Sequence, residues 1–313
     1  MEVVDLDESR RIREQLRTFL RVGDPGPPPA VEIHSSSRED GFVLQRINLI
    51  TVADKIPSLL AVPQGPGPFP AVVAFHQHAS QRHLGKSEVF GLAGDRFQAF
   101  GPPLARAGFI VLAPDSIAFE DRRPEGPGTD PREDDWNQHY NELAYRLIAG
   151  DTLMRKVLDD GMAAVSALLD RSDVMPNSVA ALGHSYGGNT ALFLTAVDQR
   201  VTAGCASGAL ASYRRKMSDR TGIEMAEVIP GFTTQFDMHH VLAAIAPRPF
   251  LVVSADEDKY SVDAPDVIEA ASRSVDRSDR ESNVEHVRAA GGHALDKARF
   301  AEIVDWIVRR APR

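Results

Sequence analysis

The chain has 313 residues, 43% hydrophobic and 25% charged, an ordinary composition for a globular protein with a large buried core. Its formal net charge of −9 argues against a nucleic-acid partner, whose phosphates it would repel. The single cysteine, Cys205, excludes an intrachain disulfide and lies in the apolar run 201–206, where a packed thiol is expected.

The first 21 residues lack the apolar stretch of a secretory signal. No apolar run approaches the ~20 residues that cross a bilayer as a helix. The expectation is a cytoplasmic protein with no membrane partner. Residues 5–22 carry Ile12, Leu16, Phe19 and Leu20 at helical spacing, one apolar face to dock on a core. The Pro/Gly-rich stretch 21–30 ends that helix. We read residues 1–40 as N-terminal helix and connector, and 41–313 as a single domain. Strands are predicted at 42–51 and 58–62, followed by a Pro/Gly turn at 63–68.

From residue 70 strands and helices alternate. Pro70-Ala71-Val72-Val73-Ala74-Phe75 is continuously apolar, as in a strand buried on both faces. Residues 97–107 read as helix with a break or fresh start at Pro102-Pro103, 108–113 as strand, and 117–135 as loop. A long helix is predicted over 140–170, then strand 178–182, strand 201–206, an irregular insert at 210–240 and strand 249–253. A helix near 264–274, a weak strand at 283–288 and a last helix at 300–310 complete the chain. This order implies the α/β class, with a mostly parallel sheet covered by helices on both faces. The inserts near 117–145 and 210–240 would stand above the carboxyl ends of the strands and wall a pocket.

The run Val179-Ala180-Ala181-Leu182-Gly183-His184-Ser185-Tyr186-Gly187-Gly188 leads into the helix-forming stretch 191–197. Strand, Gly-x-Ser-x-Gly and helix in that order describe a nucleophile elbow, in which small residues must flank a strained serine. Ser185 is therefore the expected nucleophile. A serine hydroxyl needs a base to take its proton and a third group to orient that base. In this arrangement acid and base follow the serine in chain order. The acid is expected after strand 249–253, in Ser254-Ala255-Asp256-Glu257-Asp258. We choose Asp258, with Asp256 as the alternative. The base is expected in a late loop, and Gly291-Gly292-His293 supplies His293. The oxyanion donors would be the Tyr186 amide and one from His76-Gln77-His78: His78 first, Gln77 second. A competing reading makes His76 and His78 a zinc pair with Asp115 or His83, but no further ligand cluster has a recognisable spacing. No metal or cofactor is expected. His76, Arg122 and Trp136 are the candidate substrate-binding residues. The adjacent pair His239-His240 reads as capping or surface.

With Ile245-Ala246-Pro247-Arg248-Pro249 before the acid strand, these residues make 40–313 resemble the α/β-hydrolase family. The runs His76-Gln77-His78, Gly85-Lys86-Ser87-Glu88 and Ala113-Pro114-Asp115 before Arg122-Arg123 resemble its bacterial acetyl-xylan-esterase-like and dienelactone-hydrolase-like branch. The resemblance implies a serine esterase acting on a small-molecule ester through an acyl-enzyme. Dienelactone hydrolases proper use cysteine where this chain has Ser185. Glucuronoyl esterases carry a basic residue inside the elbow, where this chain has Tyr186. An acyltransferase or thioesterase using the same residues, or a non-catalytic binding protein on this fold, are the other readings. A homo-oligomer is compatible with the sequence.

Overall fold

The computed structural model describes residues 8–274 and 284–311. The expected helix start at 5–7 and the strand position Asn283 lie outside the described residues. In chain order the elements are α1 (Glu8–Phe19), β1 (Ala30–Arg38), β2 (Phe42–Ile50), β3 (Lys55–Pro63), β4 (Phe69–Phe75), α2 (Lys86–Val89), α3 (Gly101–Arg106), β5 (Ile110–Pro114), α4 (Asp135–Ile148) and α5 (Leu153–Leu169). They continue with β6 (Val174–His184), α6 (Tyr186–Val197), β7 (Val201–Ser207), α7 (Tyr213–Ser218), α8 (Met238–Ala243), β8 (Phe250–Ala255), α9 (Ala264–Arg273), β9 (Val284–Ala289) and α10 (Lys297–Arg310).

The strands form one sheet in the order β1-β2-β3-β5-β4-β6-β7-β8-β9. Pairing from β1 to β5 is antiparallel, and from β5 through β9 it is parallel. Alternation along β4 explains its unbroken apolar run: Ala71, Val73 and Phe75 enter one core, while Val72 and Ala74 enter the other. The first core packs beneath α1, α5, α6 and α8. The second packs beneath α3 and α10, where Trp306 and Ile307 are fully buried. The apolar face of α1 docks as expected, with Ile12 and Leu16 buried. Ser9 Oγ donates to the Ala246 carbonyl at 2.7 Å, and Arg13 Nε donates to the Ala244 carbonyl at 3.1 Å.

Some elements differ from the sequence reading. Residues 30–38, assigned to the connector, form the edge strand β1, whose side chains are all exposed. The single helix predicted over 140–170 is two. α4 stops before Gly150, which takes φ +75°, and the Thr152 hydroxyl caps α5 by accepting from the Arg155 N–H at 3.1 Å. Within 97–107 the fresh start expected at Pro102-Pro103 is present: α3 begins there with its prolines in the first turn, and only the part before it is a short 3₁₀ turn, Arg96–Gln98. The 210–240 insert contains α7 and two 3₁₀ turns, Met225–Glu227 and Phe232–Thr234. No helix among the described residues is long and apolar enough to cross a membrane.

Candidate active site

Ser185 sits where β6 turns into α6, with φ 54° and ψ −120°. A non-glycine residue at positive φ is strained, and the surroundings hold it there. Its N–H donates to the Ser207 carbonyl at 2.8 Å, and its carbonyl accepts from the Asn189 N–H at 2.9 Å. The elbow is tight enough that a Cβ on Gly183 would overlap the Gly187 backbone. One on Gly187 would overlap the Phe75 carbonyl and reach within 2.7 Å of the His76 carbonyl oxygen.

Asp258 and His293 come from the loops after β8 and β9. His293 Nε2 lies 2.8 Å from Ser185 Oγ, and its Nδ1 lies 3.0 Å from Asp258 Oδ1. Asp258 is 1% exposed. Burial alone would raise its pKa. The His293 hydrogen bond and charge, with bonds from Ser261 Oγ at 2.6 Å and the Tyr260 N–H at 3.0 Å, outweigh burial and hold the carboxyl below its ordinary value. Asp256, the alternative acid, faces elsewhere: its Oδ1 accepts from the Gly291 N–H at 2.7 Å, bracing the loop that carries His293. The His293 ring packs between His184, centroids 4.8 Å apart, and Tyr260 at 4.9 Å.

Tyr186 opens α6, and the first N–H groups of a helix have no partner within it. Gln77 and His78 lie in the loop after β4. A cavity of about 490 Å³ opens over Ser185 and His293. Trp136 and Tyr140 of α4 stand at it, stacked with centroids 5.1 Å apart, and are 52% and 45% exposed. The 210–240 insert contributes Lys216, Ile223, Glu224, Met225, Glu227 and Val228. Of the other aromatic and methionine side chains in the two inserts, Phe119, Tyr213, Phe232, Phe236 and Met238 are buried in the core.

Of the three candidate substrate-binding residues, Trp136 lines the cavity, whereas His76 and Arg122 do not. His76 is 2% exposed. Its Nε2 accepts from the Ser116 N–H at 3.1 Å, and its Nδ1 donates to the Gln77 carbonyl at 2.8 Å. It ties the loop after β4 to the loop after β5. Arg122 is locked between Asp160, at 2.7 Å, and Asp54. The nearby acids Glu120 and Asp121 are held, with Asp115, by the Lys86 ammonium at 2.6, 2.7 and 2.6 Å respectively. His240 caps α8, its Nδ1 accepting from the Asp237 N–H at 3.0 Å.

Sequence reasoning missed Arg82 and Glu224, which both line the cavity. Arg82 is 4% exposed, and its Nε donates to His139 Nδ1 at 3.1 Å. Glu224 is pushed up to about 7, chiefly by burial. His78, His139 and Glu224 bring potential ligand atoms within 4.8 Å of one another. Their protonation does not suit a cation. Arg82 donates to His139 Nδ1, and the Ser80 N–H donates to His78 Nδ1 at 3.2 Å. Each neutral ring therefore carries its proton on Nε2 and has no free lone pair. Among the described residues, His76 and His78 are not gathered with Asp115 or His83 at one site.

Residues 56–272 match the model of the dienelactone hydrolase family. YtaP of Bacillus subtilis (strain 168), named as a hydrolase, is 25% identical over 259 residues, covering 81% of this chain and 82% of that protein. Acetyl xylan esterase 1 of Thermoanaerobacterium sp. JW/SL YS485 superposes with a TM-score of 0.64 at 16% identity, covering 98% of this chain and 94% of that one. A glucuronoyl esterase of Solibacter usitatus gives 0.65 at 17%, covering 96% and 92%. At these identities the two structures establish the α/β-hydrolase fold. The family match spans most of the chain, including the elbow and the acid loop: this protein belongs to the dienelactone hydrolase family and is a hydrolase of the carboxylic-ester class.

Proposed function

We propose that the protein is a serine esterase that cleaves a small-molecule carboxylic ester with Ser185, His293 and Asp258, through an acyl-enzyme. The observation that carries this reading is the imidazole of His293, 2.8 Å from Ser185 Oγ on one side and 3.0 Å from Asp258 on the other. The ionised Asp258 fixes the proton of the neutral ring on Nδ1, which leaves the Nε2 lone pair facing the serine hydroxyl. His293 takes the Ser185 proton as Oγ attacks the ester carbonyl. The Tyr186 and His78 amides receive the developing oxyanion, with Gln77 the alternative to His78; one such donor contributes about 3 kcal/mol to lowering the barrier. His293 then protonates the departing alcohol. Water repeats the sequence on the acyl-enzyme and returns free Ser185.

The similar solved structures carry the names acetyl xylan esterase and glucuronoyl esterase. The stacked Trp136–Tyr140 pair and the roomy cavity suit an ester larger than the acetyl group alone. Turnover of p-nitrophenyl acetate tests the reading. Wild type should release p-nitrophenol with saturable kinetics, and folded Ser185→Ala should fall to the background rate. Equal turnover by the two proteins would refute it.

A further inference from the structure

Four of the nine large apolar side chains exposed among the described residues stand on one helix, α4: Trp136, Tyr140, Tyr145 and Ile148. Tyr145 is 62% exposed and Ile148 85%. Trp136, Tyr140, Ala144 and Ile148 follow at intervals of four, so they form one ridge along the helix. The polar residues beside that ridge, Asn137 and Asn141, carry no charge. The helix has three further residues that are charged, and each is committed within the chain. Asp135 is paired with Arg123, and Glu142 with Arg146, which also reaches Asp151 at 3.7 Å. A solvated helix turns charged residues outward. An uncharged aromatic face, on a chain that is 25% charged, marks a contact surface.

We propose that this face of α4 docks on the same face of a second copy of the chain, with the two helices antiparallel about a two-fold axis. The ridge is complementary to its own reverse. With the axis beside residue 142, Trp136 meets Ile148 of the second copy and Tyr140 meets its Ala144, large against small. The two ends of the helix are complementary in charge. Glu133 is exposed just before α4 and has no ion pair among the described residues. Arg21 lies at the other end: its Nη1 donates to the Gly150 carbonyl at 2.7 Å, and no carboxylate among the described residues holds it. An antiparallel pair brings Glu133 of each copy to Arg21 of the other. A lipid surface is the poorer fit, because Asp130 and Glu133 at one end and a net charge of −9 oppose anionic headgroups. The contact also reaches the cavity. Trp136 and Tyr140 stand at its mouth, and Ile148 of the second copy covers the exposed part of the Trp136 ring. A face of ~21 Å along a helix of 14 residues is small for a dimer, so association in the micromolar range is expected.

Sedimentation equilibrium of the full chain, from about 1 to 100 µM, tests the proposal. Wild type should pass from the mass of one chain to that of two over this range. Ile148→Glu changes a side chain that is 85% exposed, so it should fold and melt like wild type while the dimer weakens about tenfold or more. Arg21→Glu alone and Glu133→Arg alone should each weaken the dimer about three- to tenfold. The double swap restores the pair across the two-fold axis and should recover the wild-type affinity, a rescue that a structural effect of either change alone would not give. Wild type that stays monomeric at the highest concentration, or a dimer equally tight in Ile148→Glu, overturns the proposal. Swaps that weaken the dimer without mutual rescue overturn the antiparallel docking. A monomer that floats with phosphatidylcholine vesicles, and loses them in Ile148→Glu, overturns it in favour of a lipid surface. None of these readouts depends on the esterase reading.

Discussion

Asp258 and Asp256 are two residues apart in one loop, yet only Asp258 reaches His293, at 3.0 Å, while Asp256 holds the Gly291 N–H at 2.7 Å. The first is buried and bonded by Ser261 and Tyr260, and the second is exposed. Asp258→Asn is expected to lower kcat for p-nitrophenyl acetate by about 10³–10⁴-fold, because an amide permits the wrong imidazole tautomer. Asp256→Asn keeps an oxygen acceptor for Gly291 and should stay within about threefold of wild type. The reverse pattern would move the acid assignment to Asp256.

The elbow should tolerate no side chain at Gly187, where a Cβ overlaps the Phe75 carbonyl. Gly187→Ala is expected to lose about 3 kcal/mol or to fail to fold, since the backbone there cannot recede. Gly23→Ala, where a Cβ meets nothing within 4 Å, is the matched control and should melt like wild type. Thermal unfolding of the two variants is the measurement.

Lys86 is 2% exposed and joins Asp115, Glu120 and Asp121 behind the loop after β4. Even beside this cation, burial and the Glu120 charge raise Asp115 to about 7. Lys86→Met leaves the buried carboxyls of Asp115 and Glu120 without their cation and should cost about 3–5 kcal/mol in urea unfolding near neutral pH. An unchanged midpoint would show that the cluster is already protonated and does not need the lysine.

Acid should destabilise the fold through imidazoles that are buried neutral. Burial depresses His76 to about 4; burial, then the neighbouring His293, depresses His184 to about 3. Both rings take up a proton more readily in the unfolded chain. Their contribution is therefore complete above the ordinary value of 6.5 and is lost as pH falls from there toward 4 and 3. Each contributes a slope of about 1.4 kcal/mol per pH unit within its window. Urea midpoints measured across that range should fall with acid, and His184→Asn should have a shallower slope. Equal slopes would show that His184 does not bind its proton on unfolding.

The elbow, the acid loop and the His293 loop were legible because each is a local pattern at a strand end, and the parallel strands bring those ends together. Strand β1 was not, since its side chains all face solvent and leave no apolar alternation. The break at 149–152 carried its own punctuation, Gly150 and the Thr152 cap, but the apolar period ran across it. Arg122 shows a different limit. Its charge was visible, but its partners Asp54 and Asp160 lie far away in sequence, so a locked structural arginine read like a free one. Arg82 is the converse: nothing local distinguishes it, and its place at the cavity wall, bonded through Nε to His139, becomes visible only when the loop is folded.

Ser185 as the nucleophile, activated by His293, carries the whole of the proposed reaction. Labelling with a fluorophosphonate, followed by peptide mass spectrometry, tests it most directly. A single adduct on Ser185 is expected, abolished in Ser185→Ala and strongly slowed in His293→Ala. Folded wild-type protein that stays unlabelled, or an adduct that persists elsewhere in Ser185→Ala at the wild-type rate, would contradict it.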